Sequence, residues 1–338
     1  MLCGVLALQL ALPAQASAQA SYESPNGTVE VLGLRRWTLA MLRDSIRRYV
    51  PGQDLHDAAC MVTLRDSLKF AEASVMTWQG FSGTPEKSFL SIKVIEPQEA
   101  RRVQWDVRAR SDYTGLLPDY APLVLPITDS AGGVWRGRLE RWFQSYKEDS
   151  TRRASTVARA PESVKADAER VWAFLGSRRG DADRQRAMRT VQRDGFWVNR
   201  FVAAMVLVNF GQQDSTWHIL VRALRDPHEA VRGFADASLR SLPARRVDWK
   251  PAAADLRLLL GGTNLPSIET VLEVLDRTEV APDLAASLLR GNADWVLDHM
   301  ASRAPRANDL AHRLLVRLNR GVDLGSTRAA WTKWAAAL

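Results

Sequence analysis

The sequence predicts a small α+β module, ordered β-α-α-β-β, followed by an all-α solenoid of helical repeats. Three observations predict it. Segments that alternate apolar and polar residues, or that are rich in β-branched residues, are confined to the first ~110 positions. From about Glu162 the strand signal stops, and short amphipathic helices alternate with breaks at Gly, Pro or Asp. Within that second region Val198, Phe201 and Ala204 recur as Val231, Phe234 and Ala237, an offset of 33 residues. The 338 residues are 46% hydrophobic and 25% charged, which excludes a wholly disordered chain, a collagen and a disulfide mini-protein. No uninterrupted apolar run reaches the ~20 residues of a membrane-spanning helix.

Residues 1–20 read as a secretory signal peptide. Leu2 to Leu12 form an apolar core broken by Gln9, Pro13 interrupts it, and small-x-small cleavage sites follow, ending at Ala16, Ala18 and Ala20. The basic n-region is missing, since the first basic residue is Arg35, which places the true start upstream of Met1 or the gene as truncated. The alternative is a buried N-terminal helix or strand. Cleavage after Ala18 or Ala20 leaves Cys60 as the single cysteine, which cannot form an internal disulfide. Its apolar neighbours Ala59 and Met61 suit a small buried hydrophobe.

The module spans 28–110. Thr28 to Leu34 alternates and predicts a strand. Thr38 opens a helix whose Leu39, Leu42, Ile46 and Tyr49 share a face, and Pro51-Gly52 ends it. A second helix is expected from about Leu55 to Leu68, with Ala59, Val62, Leu64 and Leu68 inward. Ala73 to Phe81 predicts a second strand, Ser82 to Lys87 a turn, and Ser88 to Glu96 a third strand. Arg102 to Arg110 is a candidate fourth. Three strands with two helices on one face make a minimal two-layer core.

Val29-Glu30-Val31-Leu32-Gly33-Leu34, the helix closed by Pro51-Gly52, Leu68-Lys69-Phe70, and the strand Leu90 to Ile95 ending in Glu96 together resemble a POTRA domain over roughly 28–97. That resemblance implies a docking module facing a periplasm-like compartment, which pairs a partner strand with an exposed sheet edge. It assigns the edge to the second strand, here Ala73–Phe81, with Val75, Thr77 and Gln79 as the candidate pairing residues. Unpaired backbone groups on such an edge accept another chain. The rest of the chain lacks the ~10-residue alternating strands of a membrane barrel, so an insertase role is not implied.

Residues 111–161 read as a linker, because 113–133 carries Pro118, Pro122, Pro126, Gly132 and Gly133. A helix is expected inside it at 134–146, with Trp135, Leu139, Trp142 and Phe143 on one side. Residues 162–338 form the repeat region. In its clearest unit, Ser215 to Leu242, one helix carries Ile219, Leu220 and Leu224, Asp226-Pro227 turns the chain, and a second helix carries Val231, Phe234, Ala235 and Leu239. Neither stripe can be buried alone, so stacking on neighbours is required. Helix pairs of looser spacing are expected at 252–260 with 266–277 and 283–290 with 293–303, then a helix at 308–319.

The turn Asp226-Pro227, Val231-Arg232, Ala235 and Leu239 resemble a HEAT repeat, including the bacterial type first described in phycobilin lyases. Leu318 to Gly325, with Ala330, Trp331 and Trp334, resembles the tail that closes such arrays, its indoles covering the last helix pair. The resemblance implies that Asp226 and Arg232 tie adjacent repeats together as structural residues. It implies no bilin chemistry.

His56, His218, His228, His299 and His312 form no metal-ligand spacing. His218 reads as a core-edge residue and His228 as exposed at a helix start. There is no nucleophile elbow, P-loop or dinucleotide fingerprint. Asp181 and Asp183 suit helix capping, Gly261-Gly262 a helix–helix turn, and the tryptophans packing. No catalytic residue, cofactor or metal is expected. The net charge is +8, but the basic residues are interspersed with acids, as in Arg43-Asp44 and Arg225-Asp226, rather than concentrated in a stripe.

The sequence therefore predicts an exported, periplasmic or extracellular, non-catalytic scaffold that binds a protein or peptide segment, with a role in bacterial envelope assembly or trafficking. Nucleic acid is not the expected partner. The alternatives are a cytoplasmic nucleic-acid or polyanion binder and an enzyme whose site carries no known motif.

Overall fold

A computed structural model describes residues 19–57, 59–79, 88–107, 110–131, 134–146, 153, 155, 157–158 and 160–338. Most of the expected signal peptide (1–18), the expected turn at 82–87 and most of 147–161 lie outside them. The chain divides into two compact units, 1–100 and 101–338. The first is built on a small four-stranded sheet and the second is mostly helical. Among the described residues no helix is long and apolar enough to cross a membrane.

In the first unit β1 (Gln19–Ser24) and β2 (Gly27–Leu32) form a hairpin, and β3 (Glu72–Gln79) and β4 (Ser88–Ile95) follow. The sheet order is β1-β2-β4-β3, with β2 parallel to β4 and the other pairs antiparallel. A parallel pair needs a crossover. Here α1 (Leu39–Tyr49) and a short second helix supply it. Register sets the inner face. Ala20, Val31, Ile92 and Val75 lie in one row across the sheet, and Tyr22, Val29, Leu90 and Thr77 in the next. Leu42 and Ile46 of α1 pack on the apolar residues of these rows.

Three expectations differ from the structure. Strand β1 precedes the first predicted strand, because the alternation of Ala20 and Tyr22 was hidden behind the small residues of the apparent leader. The second helix is only α2, Cys60–Val62, running into a π-turn at Thr63–Ser67. The extra residue of a π-turn rotates the face, so Leu64 is buried whereas Val62 is exposed. Tyr49 is likewise exposed, at the frayed end of α1.

Two carboxylates hold this unit. Glu96, buried at the end of β4, accepts from the backbone N–H groups of Arg35, Arg36 and Trp37 at 2.7–3.0 Å. Gly33, with φ of +92°, turns the chain so that those amides converge. This gives a physical reason for the glycine after β2 and the acid after β4. Thr38 then caps α1, its Oγ1 accepting from Met41 N–H at 3.2 Å. Asp54 accepts from Arg43 at 2.8 and 3.0 Å, from Arg47, from Leu55 N–H, and from the Tyr22 hydroxyl at 3.3 Å. Burial alone would raise its pKa, but these donors outweigh burial and hold the carboxyl well below the usual range. The same burial and the Asp54 charge push the Tyr22 hydroxyl up to about 12.

In the second unit the expected linker is not unstructured. α3 (Ala121–Ala131) occupies part of it, and α4 (Trp135–Tyr146) follows. Pro122 sits in the first turn, where no N–H is required. Pro126 forgoes one helical bond, offset by burial of Leu123, Val124 and Ile127 in the core. α5 (Glu162–Ser177) packs against both α3 and α4.

Next come α6 (Asp181–Arg193), α7 (Trp197–Leu207), α8 (Asp214–Ala223), α9 (Glu229–Ser241), α10 (Ala253–Leu260), α11 (Ile268–Arg277), α12 (Ala285–Leu289), α13 (Asp294–Ala301), α14 (Pro305–Leu318) and α15 (Arg328–Ala336). α6 packs on α7, α8 on α9 and α10 on α11. Helices further apart in the chain also meet, in the series α6–α8–α10–α12 and α7–α9–α11–α14. The repeated Phe201 and Phe234 touch, their ring centroids 4.6 Å apart. Trp331 of α15 is fully buried and donates to the Gly325 carbonyl at 2.6 Å.

Glu96→Ala leaves three backbone donors without their carboxylate and should cost about 2–4 kcal/mol, read as faster amide exchange across β2 and β4. Asp54 has a lowered folded-state pKa, so its contribution is complete well above the unfolded value of about 3.9 and is lost as pH falls through the folded value. Asp54→Asn should flatten the acid limb of the unfolding midpoint of this unit and leave its slope near neutral pH unchanged.

Candidate functional site

The residues singled out in the sequence fall in two places. Strand β3 is the terminal strand of the sheet and pairs with β4 alone among the described strands. Val75 and Thr77 point to the helix-covered face. Val75 is half-buried against the core, Thr77 is exposed, and Gln79 ends the strand opposite Ser88. What β3 offers is its outer backbone edge, which a partner strand could pair with.

Asp226 lies in the turn between α8 and α9, 1% exposed. Its carboxylate does not take Arg232. It takes the fork of Arg200 on α7, Nε to Oδ2 and Nη2 to Oδ1, both at 2.8 Å, together with Arg110 at 3.0 Å and the N–H of His228 at 2.9 Å. Arg232 instead donates to the main-chain carbonyls of Asp226 and Pro227 at 2.9 and 3.0 Å. Arg200 does the same at the turn between α6 and α7, donating to the carbonyls of Asp194 and Gly195 at 3.0 Å. The two arginines are thus equivalent, each tying its own turn, and Arg200 also reaches the next turn's carboxylate. The turn acids Asp194 and Asp226 each accept from the N–H two residues on. A comparison of turns at a 32-residue offset would have found both pairs, whereas the apolar offset of 33 hid them.

Residues 102–110, expected as a fourth strand, form none among the described residues; 102–107 and 110–117 instead cross successive helix–helix turns as a strap. Thr263 Oγ1 donates to the Arg102 carbonyl at 2.7 Å and accepts from Gln104 N–H at 3.1 Å. Arg225 donates to the Gln104 carbonyl at 3.0 Å, and Asp106 N–H donates to the Arg225 carbonyl at 2.6 Å. Ser111 N–H donates to the Arg193 carbonyl at 2.9 Å. Asn199 brackets the far end, donating to the Gly115 carbonyl at 3.0 Å and accepting from Leu117 N–H at 2.9 Å. Trp105 lies under the Arg232 guanidinium at 4.1 Å. The approach at Gly195 is so close that a Cβ there would sit 2.0 Å from the Ser111 carbonyl oxygen.

No family model, curated protein or solved structure matches the chain. The site is therefore read from its own geometry. Neither the β3 edge nor the Asp226 turn brings a nucleophile to a base. Cys60 is buried, and burial pushes its thiol up to about 12, far from a reactive thiolate. His218 contacts the Asp248 carbonyl at 2.6 Å. His228 is half-buried rather than exposed: it caps α9 and stacks on Trp197 at 4.1 Å, and burial lowers its pKa. Asp183 reaches back to Gly180 N–H at 3.1 Å, and Asp181 pairs with Arg184, so both serve the start of α6. Among the described residues no group of three His, Cys, Asp or Glu could hold a metal ion.

The charges on α9, α11 and α14 are largely paired with one another. Glu273 lies between Arg240, Arg277 and Arg306, and Asp276 lies between Arg313 and Arg317. Pairing of this kind leaves little free positive charge along these helices.

Removing the Asp226 carboxylate strands Arg200 and Arg110 in a buried site. Asp226→Ala should therefore destabilise the helical unit by about 3–5 kcal/mol and speed amide exchange through 104–111. Thermal melts at 222 nm and exchange mass spectrometry read the two effects.

Proposed function

We propose that the chain is an exported, non-catalytic scaffold for protein interaction, a POTRA-like docking module joined to a HEAT-type solenoid, acting in bacterial envelope assembly or trafficking. The observation that carries this reading is the packing of helices in two series, α6–α8–α10–α12 and α7–α9–α11–α14. Successive pairs bury their stripes on the next pair, and such stacking creates long surfaces that hold a peptide through many weak contacts. The terminal position of β3 supports the docking role of the module.

The second reading, a polyanion binder, draws on the net charge of +8. It requires a stripe of free cations. The mutual pairing around Glu273 and Asp276 favours the protein partner instead.

Export is tested by sequencing the N-terminus of the mature chain from a two-membrane bacterium. A start at Gln19 is expected, because cleavage after Ala18 leaves β1 whole, whereas cleavage after Ala20 removes the partners of Leu32 and Val31. Retention of residues 1–18 overturns export. For docking, a photo-reactive residue at Thr77 should give a discrete protein adduct and one at Arg48, exposed on α1, none. Equal yields at the two positions overturn the assignment of the β3 edge.

A further inference from the structure

Across the unit 101–338, guanidiniums commonly face a carboxylate, as Arg200, Arg222, Arg225, Arg313 and Arg328 do. A concavity at the start of the strap departs from this. It measures about 540 Å3 and lies where the start of the strap passes the C-terminal end of α10 and the turn before α13. Arg101, Arg102 and Arg257 line it with Gln104, Leu258 and Asn292, and no acidic side chain is among its described lining residues. Arg102 is held by Asp294 at 2.9 Å. Arg257 donates to the Arg290 carbonyl at 2.9 Å, which fixes its position but leaves its charge. Among the described residues neither Arg101 nor Arg257 has an ion-pair partner.

The local backbone is prepared for negative charge. The last carbonyls of a helix ordinarily repel an anion. Here the Arg257 carbonyl accepts from Asn292 Nδ2, and the Gly261 carbonyl accepts from Arg102 at 3.5 Å. The floor is kept open by glycines. A Cβ at Gly261 would meet the Asn292 amide at 2.5 Å, and Gly291 adopts a φ of +66°.

We propose that this concavity binds an acidic peptide segment of a partner protein, with its carboxylates bracketed by Arg101 and Arg257. The proposal rests on the scaffold reading and supplies the chemistry of what it holds. Guanidiniums receive carboxylates through paired N–H donors. The volume exceeds what a lone inorganic anion fills, and Ala254 and Leu258 beside the cations accommodate the apolar body of a peptide.

The test uses the full chain and a fluorescein-labelled peptide of alternating aspartate and leucine, read by anisotropy. Its asparagine counterpart should bind at least about tenfold more weakly, and R101E/R257E should lose about tenfold or more for the acidic peptide. R48E/R320E, which changes the net charge equally at two exposed positions, should stay within about twofold of the parent. If the reversal lowers the melting temperature, R101Q/R257Q replaces it with the same expected loss. Equal binding of the two peptides, or an equal loss in R48E/R320E, overturns the site. Displacement of the peptide by an equimolar amount of inorganic phosphate overturns the peptide assignment in favour of a small anion. Cross-linking at Thr77 reads the scaffold independently, so a failure of one is separable from a failure of the other.

Discussion

The helical unit depends on junctions, because no single amphipathic helix can hide its apolar stripe by itself. At several junctions the same device closes the contact, a buried aspartate clasped by an arginine from a neighbouring element. Asp167 of α5 takes Arg138 of α4, Asp226 takes Arg200 of α7, Asp255 of α10 takes Arg222 of α8, and Asp298 of α13 takes Arg328 of α15. Each carboxylate is nearly or wholly buried. A planar fork can satisfy a carboxylate with two parallel bonds and still donate to helix-end carbonyls, as Arg200 does, whereas an ammonium cannot match that geometry. The preponderance of arginine over lysine in this chain therefore has a structural use as well as any compositional origin.

The sheet unit is tied in a comparable way by two acids, Glu96 and Asp54. Glu96 gathers the amides of Arg35, Arg36 and Trp37 just before α1 begins, which fixes the entry of the helix relative to β4. Asp54 does the corresponding task at the other end of α1, where Arg43, Arg47 and Tyr22 meet. Both strands that flank the crossover and the helix that covers them are thus tied through side chains that the hydrophobic pattern does not mention.

What was legible in the sequence was periodic. Strands β2, β3 and β4, helix α1 and the helices from α6 onward follow alternation or a 3.6-residue stripe, and their positions were readable from apolar spacing. What escaped was non-periodic. β1 was masked by the small residues around it, the π-turn by flanking apolar residues that fit a regular helix equally well, and α3 by its prolines, which burial overrides. The strap escaped because its contacts are polar, long-range and mostly to backbone, so that Gln104 read as part of a candidate strand and Ser111 and Gly115 as linker. Of the candidate site, the Asp226 turn was legible but its partner was not. Arg232 stood nearest in sequence, and only the fold brings Arg200 and Arg110 to it.

The strap also fixes the order in which the molecule can be completed. Gln104 is bound by Arg225 and Thr263, which lie 121 and 159 residues further along the chain. A ribosome therefore releases this segment long before the turns that receive it exist. Assembly of the helical half cannot finish vectorially from its first residue onward, since closing so long a loop is slow compared with forming a local hairpin. The segment must wait, solvated and accessible to chaperones, and its capture is the step that converts a row of emerging helices into a closed unit.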